Sequence, residues 1–149
     1  MGCCTSNQNT ADINILNVEY KDCKRFIPPI TFGNVVKVYD GDTITIANYL
    51  HPLIEPRVFY KFNIRLRRID SPEINSKDLE IKKKAIESRD ILKDLIFNKI
   101  VKLENVGIDK YGRLLAEVLI DCSENTINVS DFMLNQNLAV KYDGGSKNK

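Results

Sequence analysis

The sequence predicts an α+β domain: a closed sheet of five short strands with two or three helices packed on it. Three observations predict this. Five runs rich in β-branched residues are separated by turn and loop signals. One long amphipathic stretch separates the third run from the fourth. A shorter helical stretch follows the fifth. A length of 149 residues suits one domain with a real hydrophobic core.

The elements follow in order. Residues 1–30 are polar, lack a sustained period and end in Pro28-Pro29, so a flexible arm is expected there. The body, residues 31–149, begins near Thr31. Val35–Tyr39 reads as a strand, Asp40-Gly41-Asp42 as a turn, and Thr43–Ile46 as the return strand. Residues 48–57 hold His51-Pro52 and Glu55-Pro56 and read as a loop. Val58–Leu66 alternates as a third strand until Ser71-Pro72 breaks the pattern. From about Asp78 to Asn98, residues Ile81, Ala85, Ser88, Leu92 and Leu95-Ile96 recur on one helical face. Ile100–Glu104 and Leu114–Ile120 read as the last two strands, joined by a polar loop at Asp109–Arg113. A second helix fits Val129–Gln136, with Asn128 as N-cap and Asn137 as the left-handed stop. Leu138-Ala139-Val140 should return to the core, before a tail from Gly144-Gly145. Five strands with helices in these places make a five-stranded OB-fold barrel the natural candidate.

Composition narrows the function. Apolar residues are 43% and charged residues 28%, a globular balance. The net charge of +2 does not by itself point to nucleic acid, so any such site must concentrate its cations locally. No apolar run reaches the ~18 residues that a spanning helix needs. The N-terminus lacks an apolar signal-peptide core, so a disulfide framework for the four cysteines is not expected. Cys23 and Cys122 read as ordinary thiols, and His51 as a solvated loop residue. Phe59, Phe62, Phe97 and Phe132 read as packing residues.

Three segments carry groups suited to a metal and a phosphate. Asp40-Gly41-Asp42-Thr43 sets two carboxylates on a tight turn. Arg65-Leu66-Arg67-Arg68-Ile69-Asp70-Ser71-Pro72-Glu73 sends cations along a strand, then carboxylates into a loop. Asp109-Lys110-Tyr111-Gly112-Arg113 is a polar turn ending in a forked cation. Calcium takes oxygen ligands from carboxylates, carbonyls and water. Phosphodiester hydrolysis needs a water activator and donors for charge developing on phosphoryl oxygens. Arginine suits the second task through its planar, bidentate guanidinium. Each segment also has an ordinary reading as a turn, a helix entrance or a hairpin loop. Arg67 and Arg68 read as a solvated face or general nucleic-acid contacts. The ordered combination carries the argument.

That combination resembles the staphylococcal (micrococcal) nuclease family, from about Gly33 to Lys147 and including the Asn128–Ala139 segment. The family fold is an OB-type barrel with packed helices. The resemblance implies that Asp42 and Asp70 supply carboxylates to calcium (Ca2+) and Ser71 its backbone carbonyl. Asp40 would orient the turn or bind through water. Glu73 would activate the attacking water, and Arg65 and Arg113 would grip the scissile phosphate. Lys110 and Tyr111 would lie near a nucleotide's terminal phosphate, and Tyr142 could stack on a base. Substrates would be DNA and RNA, cut at the 5′ P–O bond to leave 3′-phosphates, by a monomer. Two departures stand out. The bacterial archetype has another helix where this sequence has Tyr142–Lys149, and residues 48–57 make a longer loop than the archetype has.

Met1-Gly2-Cys3-Cys4-Thr5-Ser6 fits a myristoylation pattern at Gly2, with Cys3 and Cys4 as palmitoylation candidates. One myristoyl chain binds membranes only marginally, so a second signal is needed. Lys21, Lys24 and Arg25 are balanced by Asp12, Glu19 and Asp22, so no polybasic patch supplies it. The expectation is a lipid-anchored enzyme on the cytosolic face of a membrane, active when calcium rises. The competing classes are a catalytically silent OB-fold module that binds nucleic acid or protein, and a tethered adaptor. A degenerate module should lack some of Asp42, Asp70, Glu73, Arg65 and Arg113, and this sequence keeps all five.

Overall fold

The computed structural model describes residues 15–50 and 58–144. The elements are β1 (Phe32–Val38), β2 (Thr43–Asn48), β3 (Tyr60–Leu66), β4 (Ile69–Asp70), α1 (Leu79–Ile96), β5 (Ile100–Ile108), β6 (Leu114–Cys122), β7 (Asn125–Asn128), α2 (Val129–Asn135) and β8 (Val140–Lys141). Five strands close on themselves in the order β1, β2, β3, β6, β5 and back to β1. The β3–β6 pairing is parallel and the others around the barrel are antiparallel. This is the expected five-stranded OB-type barrel with packed helices.

Closure depends on β1 serving two partners. Asn34–Val38 pairs with β2, while Phe32–Asn34 pairs with β5. A register shift between Val35 and Lys37 bends the strand between these roles. Gly33 sits at the crossing, where an added Cβ would lie 2.7 Å from Ile46 Cδ1. Inside, Val35, Ile44, Ile46, Ile64, Leu66, Val101 and Val118 are fully enclosed. Burying each such side chain stabilises the fold by roughly 1.5–3 kcal/mol.

α1 begins at Asp78, whose carboxylate accepts from Glu80 N–H at 2.8 Å and Ile81 N–H at 3.2 Å. Its buried face is Ala85, Ser88, Leu92 and Ile96. Ile81, expected on that face, is exposed together with Leu79, so the packed stripe starts only at Ala85. Asn98 then takes φ 57°, and its N–H donates to Val35 carbonyl at 2.9 Å, returning the chain to the barrel. α2 is capped by Asn128, which accepts from Ser130 and Asp131 N–H, and Asn137 follows it at φ 56°.

Several details differ from the sequence reading. The third strand starts at Tyr60, and Phe59 is exposed, edge-on to Tyr49. The last barrel strands run on to Ile108 and Cys122. The β6–β7 hairpin and the β4–β8 pair were not anticipated. Val140 is exposed because it pairs at that small sheet's edge with Asp70, while Leu138 and Ala139 are buried. Before the body, Ile30 is buried in the core and Arg25 donates to the Asp109 carbonyl at 3.2 Å. The residue 51–57 loop, with His51, lies outside the described residues. Gly2, Cys3 and Cys4 do too.

Candidate active site

Three loops converge at one end of the barrel: the β1–β2 turn, the β3–β4 turn with the segment after it, and the β5–β6 loop. Backbone pairing forces the first two together, because Thr43 faces Arg65 across β2 and β3. Leu66 N–H then donates to the Asp42 carbonyl at 2.8 Å. The first turn is tight for a packing reason. A Cβ on Gly41 would lie 2.0 Å from Ser88 Oγ and 2.8 Å from Ser71 Cβ. Glycine therefore lets the turn seat against α1 and the Ser71 segment. Ser88 is itself fully buried and donates to the Leu138 carbonyl at 2.9 Å.

Arg65 is the centre of the arrangement. Strand alternation places it with Lys61 and Asn63, yet it is buried between the core residues Ile64 and Leu66. One terminal nitrogen donates to the carbonyls of Leu66 at 3.1 Å and Ile69 at 2.8 Å. The other meets Asp42 Oδ2 at 3.2 Å and Asp70 Oδ1 at 3.0 Å. Asp42 is buried as well. It accepts from Ser71 N–H at 2.6 Å and Thr43 Oγ at 3.0 Å. Asp40 accepts from Asp42 N–H at 3.1 Å. Burial, and then the Asp42 charge, push the Asp40 carboxyl up to about 6.

This donor set suits a hard cation. Two carboxylates, Asp42 and Asp70, share the Arg65 guanidinium, and Asp40 stands beside Asp42, so acidic groups outnumber the cation in this part-buried cluster. Among the described residues no group of three acidic, histidine or cysteine side chains forms a metal cage alone. Calcium would therefore need the Ser71 carbonyl and water beside the two carboxylates of Asp42 and Asp70.

Across the cleft, Asp109 builds the mount for Arg113. One carboxylate oxygen accepts from Tyr111 N–H at 2.8 Å and Arg113 N–H at 2.9 Å. The other accepts from Arg113 Nε at 2.7 Å. Gly112 completes the turn at φ 83°. Burial raises the Asp109 carboxyl, but these hydrogen bonds and the Arg113 charge outweigh it and hold it below the usual carboxylate range. Tyr111 is exposed, with the Lys110 ammonium 5.1 Å and the Arg113 guanidinium 5.5 Å from its ring centre.

Every described candidate residue lines one cleft of about 740 Å³: Asp42, Arg65, Asp70, Ser71, Glu73, Lys110, Tyr111, Arg113 and Tyr142. Glu73 is exposed on its rim. Arg68 also borders this cleft and stays exposed, but its guanidinium grips Glu117 at 2.7 and 3.1 Å and Asp131 at 2.8 Å, so on the solvated face it also serves as a structural tie. Arg67 likewise donates to the Asn105 carbonyl at 2.8 Å. Sequence reasoning placed Asp109 in the polar turn and Ser88 on the inner helix face without giving them supporting roles, and it did not single out Glu117. Of these, only Asp109 left a signal of its role, as the acidic residue four positions before Arg113.

The family model for staphylococcal nuclease homologues matches residues 63–149. This chain belongs to the staphylococcal nuclease family. The match takes in Arg65, Asp70, Ser71, Glu73 and Arg113 but begins after the Asp40–Thr43 turn, which the fold itself brings to them. An uncharacterized endonuclease of Escherichia coli is 32% identical over 113 residues, covering 74% of this chain and 61% of that protein. An uncharacterized endonuclease of Haemophilus influenzae is 34% identical over 110 residues, covering 72% and 51%. Protein ParB of Escherichia coli is 28% identical over 117 residues, covering 74% and 56%. The chain thus spans about half to three fifths of the length of these relatives.

Proposed function

We propose that this family member is a calcium-dependent nuclease that hydrolyses phosphodiester bonds of DNA and RNA and leaves 3′-phosphate ends. The observation that carries the proposal is Arg65, buried yet opening on the cleft, with Asp42 and Asp70 on one of its nitrogens and Glu73 and Arg113 lining the same cleft. Calcium held by Asp42, Asp70 and the Ser71 carbonyl would supply Lewis acidity and a template.

The chain's own residues do the rest. Arg65 and Arg113 donate to the non-bridging oxygens of the scissile phosphate, where charge grows in the transition state. Glu73 accepts a proton from the attacking water. The water oxygen bonds to phosphorus as the bond to the 5′ oxygen breaks, and that oxygen leaves as a hydroxyl after taking a proton from solvent. Lys110 and Tyr111 hold the terminal phosphate, and Tyr142 offers a face to a base.

The test uses the purified protein with single-stranded DNA and with RNA, in calcium, in magnesium and in chelator, followed by end-group analysis. Cleavage in calcium alone, with 3′-phosphate ends, supports the proposal. Equal cleavage in chelator removes calcium from it. Nucleic-acid binding with no cleavage in any metal would make the chain a silent binding module. Calcium should also raise the melting temperature through ligand linkage, a readout independent of activity.

The Gly2, Cys3 and Cys4 motif supports a second part of the same reading, attachment to the cytosolic face of a membrane by myristoyl and palmitoyl groups. Activity there would wait for a calcium rise, because a site with few carboxylates binds calcium weakly. Cys3→Ser with Cys4→Ser should move the protein from membrane to soluble fractions of a eukaryotic cell. Unchanged fractionation would refute the anchor.

A further inference from the structure

A second cleft, of about 530 Å³, lies beside the first and has no part in the chemistry above. Lys37, Val38 and Tyr39 at the end of β1 form one wall, Ile74 and Asn75 a second, and Arg89, Asp90 and Lys93 of α1 a third. The two clefts are neighbours along the chain at two points. Tyr39 lines the second and Asp40 the first, and Ile74 lines the second where Glu73 lines the first. At both points the clefts are parted by no more than one residue step of chain, Tyr39–Asp40 and Glu73–Ile74.

The lining suits an unpaired nucleic-acid strand. Arg89 is paired with Asp90 at 2.7 Å. Lys37 and Lys93 are not paired with a carboxylate among the described residues. Instead each ammonium lies over a ring, Lys37 at 5.8 Å from the Tyr39 centre and Lys93 at 5.3 Å from that of Phe97. The wall charges, Lys37, Arg89 and Lys93 against Asp90, sum to a positive excess. Tyr39 is about half exposed, at 51%, and presents a flat aromatic beside those cations. Ammonium groups for phosphates next to a ring for a base are the parts that hold single strands without sequence preference. A base stacks on such a ring only if it is free of its own helix, so the occupant is single-stranded.

We infer that this cleft is an extension of the substrate track. It holds the nucleotides of single-stranded DNA or RNA adjacent to the scissile phosphate, with Lys37 and Lys93 on the backbone and Tyr39 under a base. The inference rests on the nuclease reading for its direction, but the binding it describes can be measured without cleavage.

The experiment compares the wild type with Lys37→Gln/Lys93→Gln and with Tyr39→Leu. Fluorescence anisotropy in chelator reads affinity for a labelled single strand of about twelve nucleotides, within the usual site size of such folds. Initial rates in calcium are read on that strand and on a dinucleotide, which fills only the first cleft. The double variant should weaken strand binding about tenfold, and its log affinity against log salt should flatten by about 1.4, or ~0.7 per lost phosphate contact. Tyr39→Leu should weaken binding by about tenfold and leave the salt slope unchanged. The ratio of kcat/KM on the strand to that on the dinucleotide should fall in both variants. Wild-type affinity and salt slope in the double variant would overturn the inference. An equal loss on strand and dinucleotide would overturn it too, because that would mean a general field and not a track. Absence of cleavage by the wild type would defeat the nuclease reading alone and leave the anisotropy result to decide the track.

Discussion

Arg68 is a backbone oddity whose replacement separates two forces. It has φ 67°, a left-handed conformation that a side chain with a Cβ adopts at a cost of about 1 kcal/mol. Its guanidinium is tied to Glu117 by two bonds and to Asp131 by one. The Arg68 side chain is 45% exposed, so solvent screens these contacts and the whole tie contributes only about 2 kcal/mol. Arg68→Ala loses the tie and keeps the strained backbone, for a net loss of about 2 kcal/mol. Arg68→Gly loses the same tie but relieves the strain, so its loss is nearer to 1 kcal/mol. In a domain of this size, melting temperatures should fall by roughly 6 °C for alanine and 3 °C for glycine. The ordering is the test, read by calorimetry at neutral pH. Glycine as unstable as alanine would refute the strain argument, and wild-type stability in alanine would refute the tie. The gap should also depend on pH. Burial pushes the Glu117 carboxyl up, but hydrogen bonds from Arg68 and Asn128 and the nearby arginine charges hold it below its ordinary 4.5. A carboxyl lowered by folding stabilises fully above its unfolded value and loses that effect as pH falls through the folded one. The difference between wild type and Arg68→Ala should therefore be constant above about pH 5 and shrink in stronger acid.

Gly41→Ala should destabilise by about 2–3 kcal/mol, because its Cβ overlaps the buried Ser88 Oγ and overpacking of this kind forces backbone movement; thermal melts decide it, and a second change, Ser88→Gly, should recover part of the loss. Arg65→Ala, Glu73→Gln and Arg113→Ala should each lower kcat by about 10²-fold or more while circular dichroism still shows the fold; near-wild-type turnover in all three would sink the assignment of roles. Asp109→Ala should lower kcat by about tenfold through Arg113, whose side chain it mounts. Steady-state rates check this, and combining it with Arg113→Ala should add little further loss.

The sequence by itself determined the barrel, because hydrophobic alternation, turn residues and helix caps are local signals. Asp78, Asn128 and Asn137 stand where one chain segment decides the backbone. It also named candidate site residues through the ordered motifs, and the described ones line one cleft. Tertiary structure decided what those residues touch. Alternation put Arg65 on an open face, and only closure of β3 against β2 and β6 buried it between Asp42 and Asp70. Arg67 and Arg68 read as a solvated face or general nucleic-acid contacts, and the fold adds partners distant in sequence, Asn105 for the first and Glu117 and Asp131 for the second. Gly41 looked like ordinary turn chemistry until Ser88 of α1 was found where its Cβ would go. Charge and steric contact between segments far apart along the chain leave no period in the sequence. That is why the three loops could be named from the sequence, while Arg65 as the buried counter-ion shared by the first two could be seen only in the folded chain.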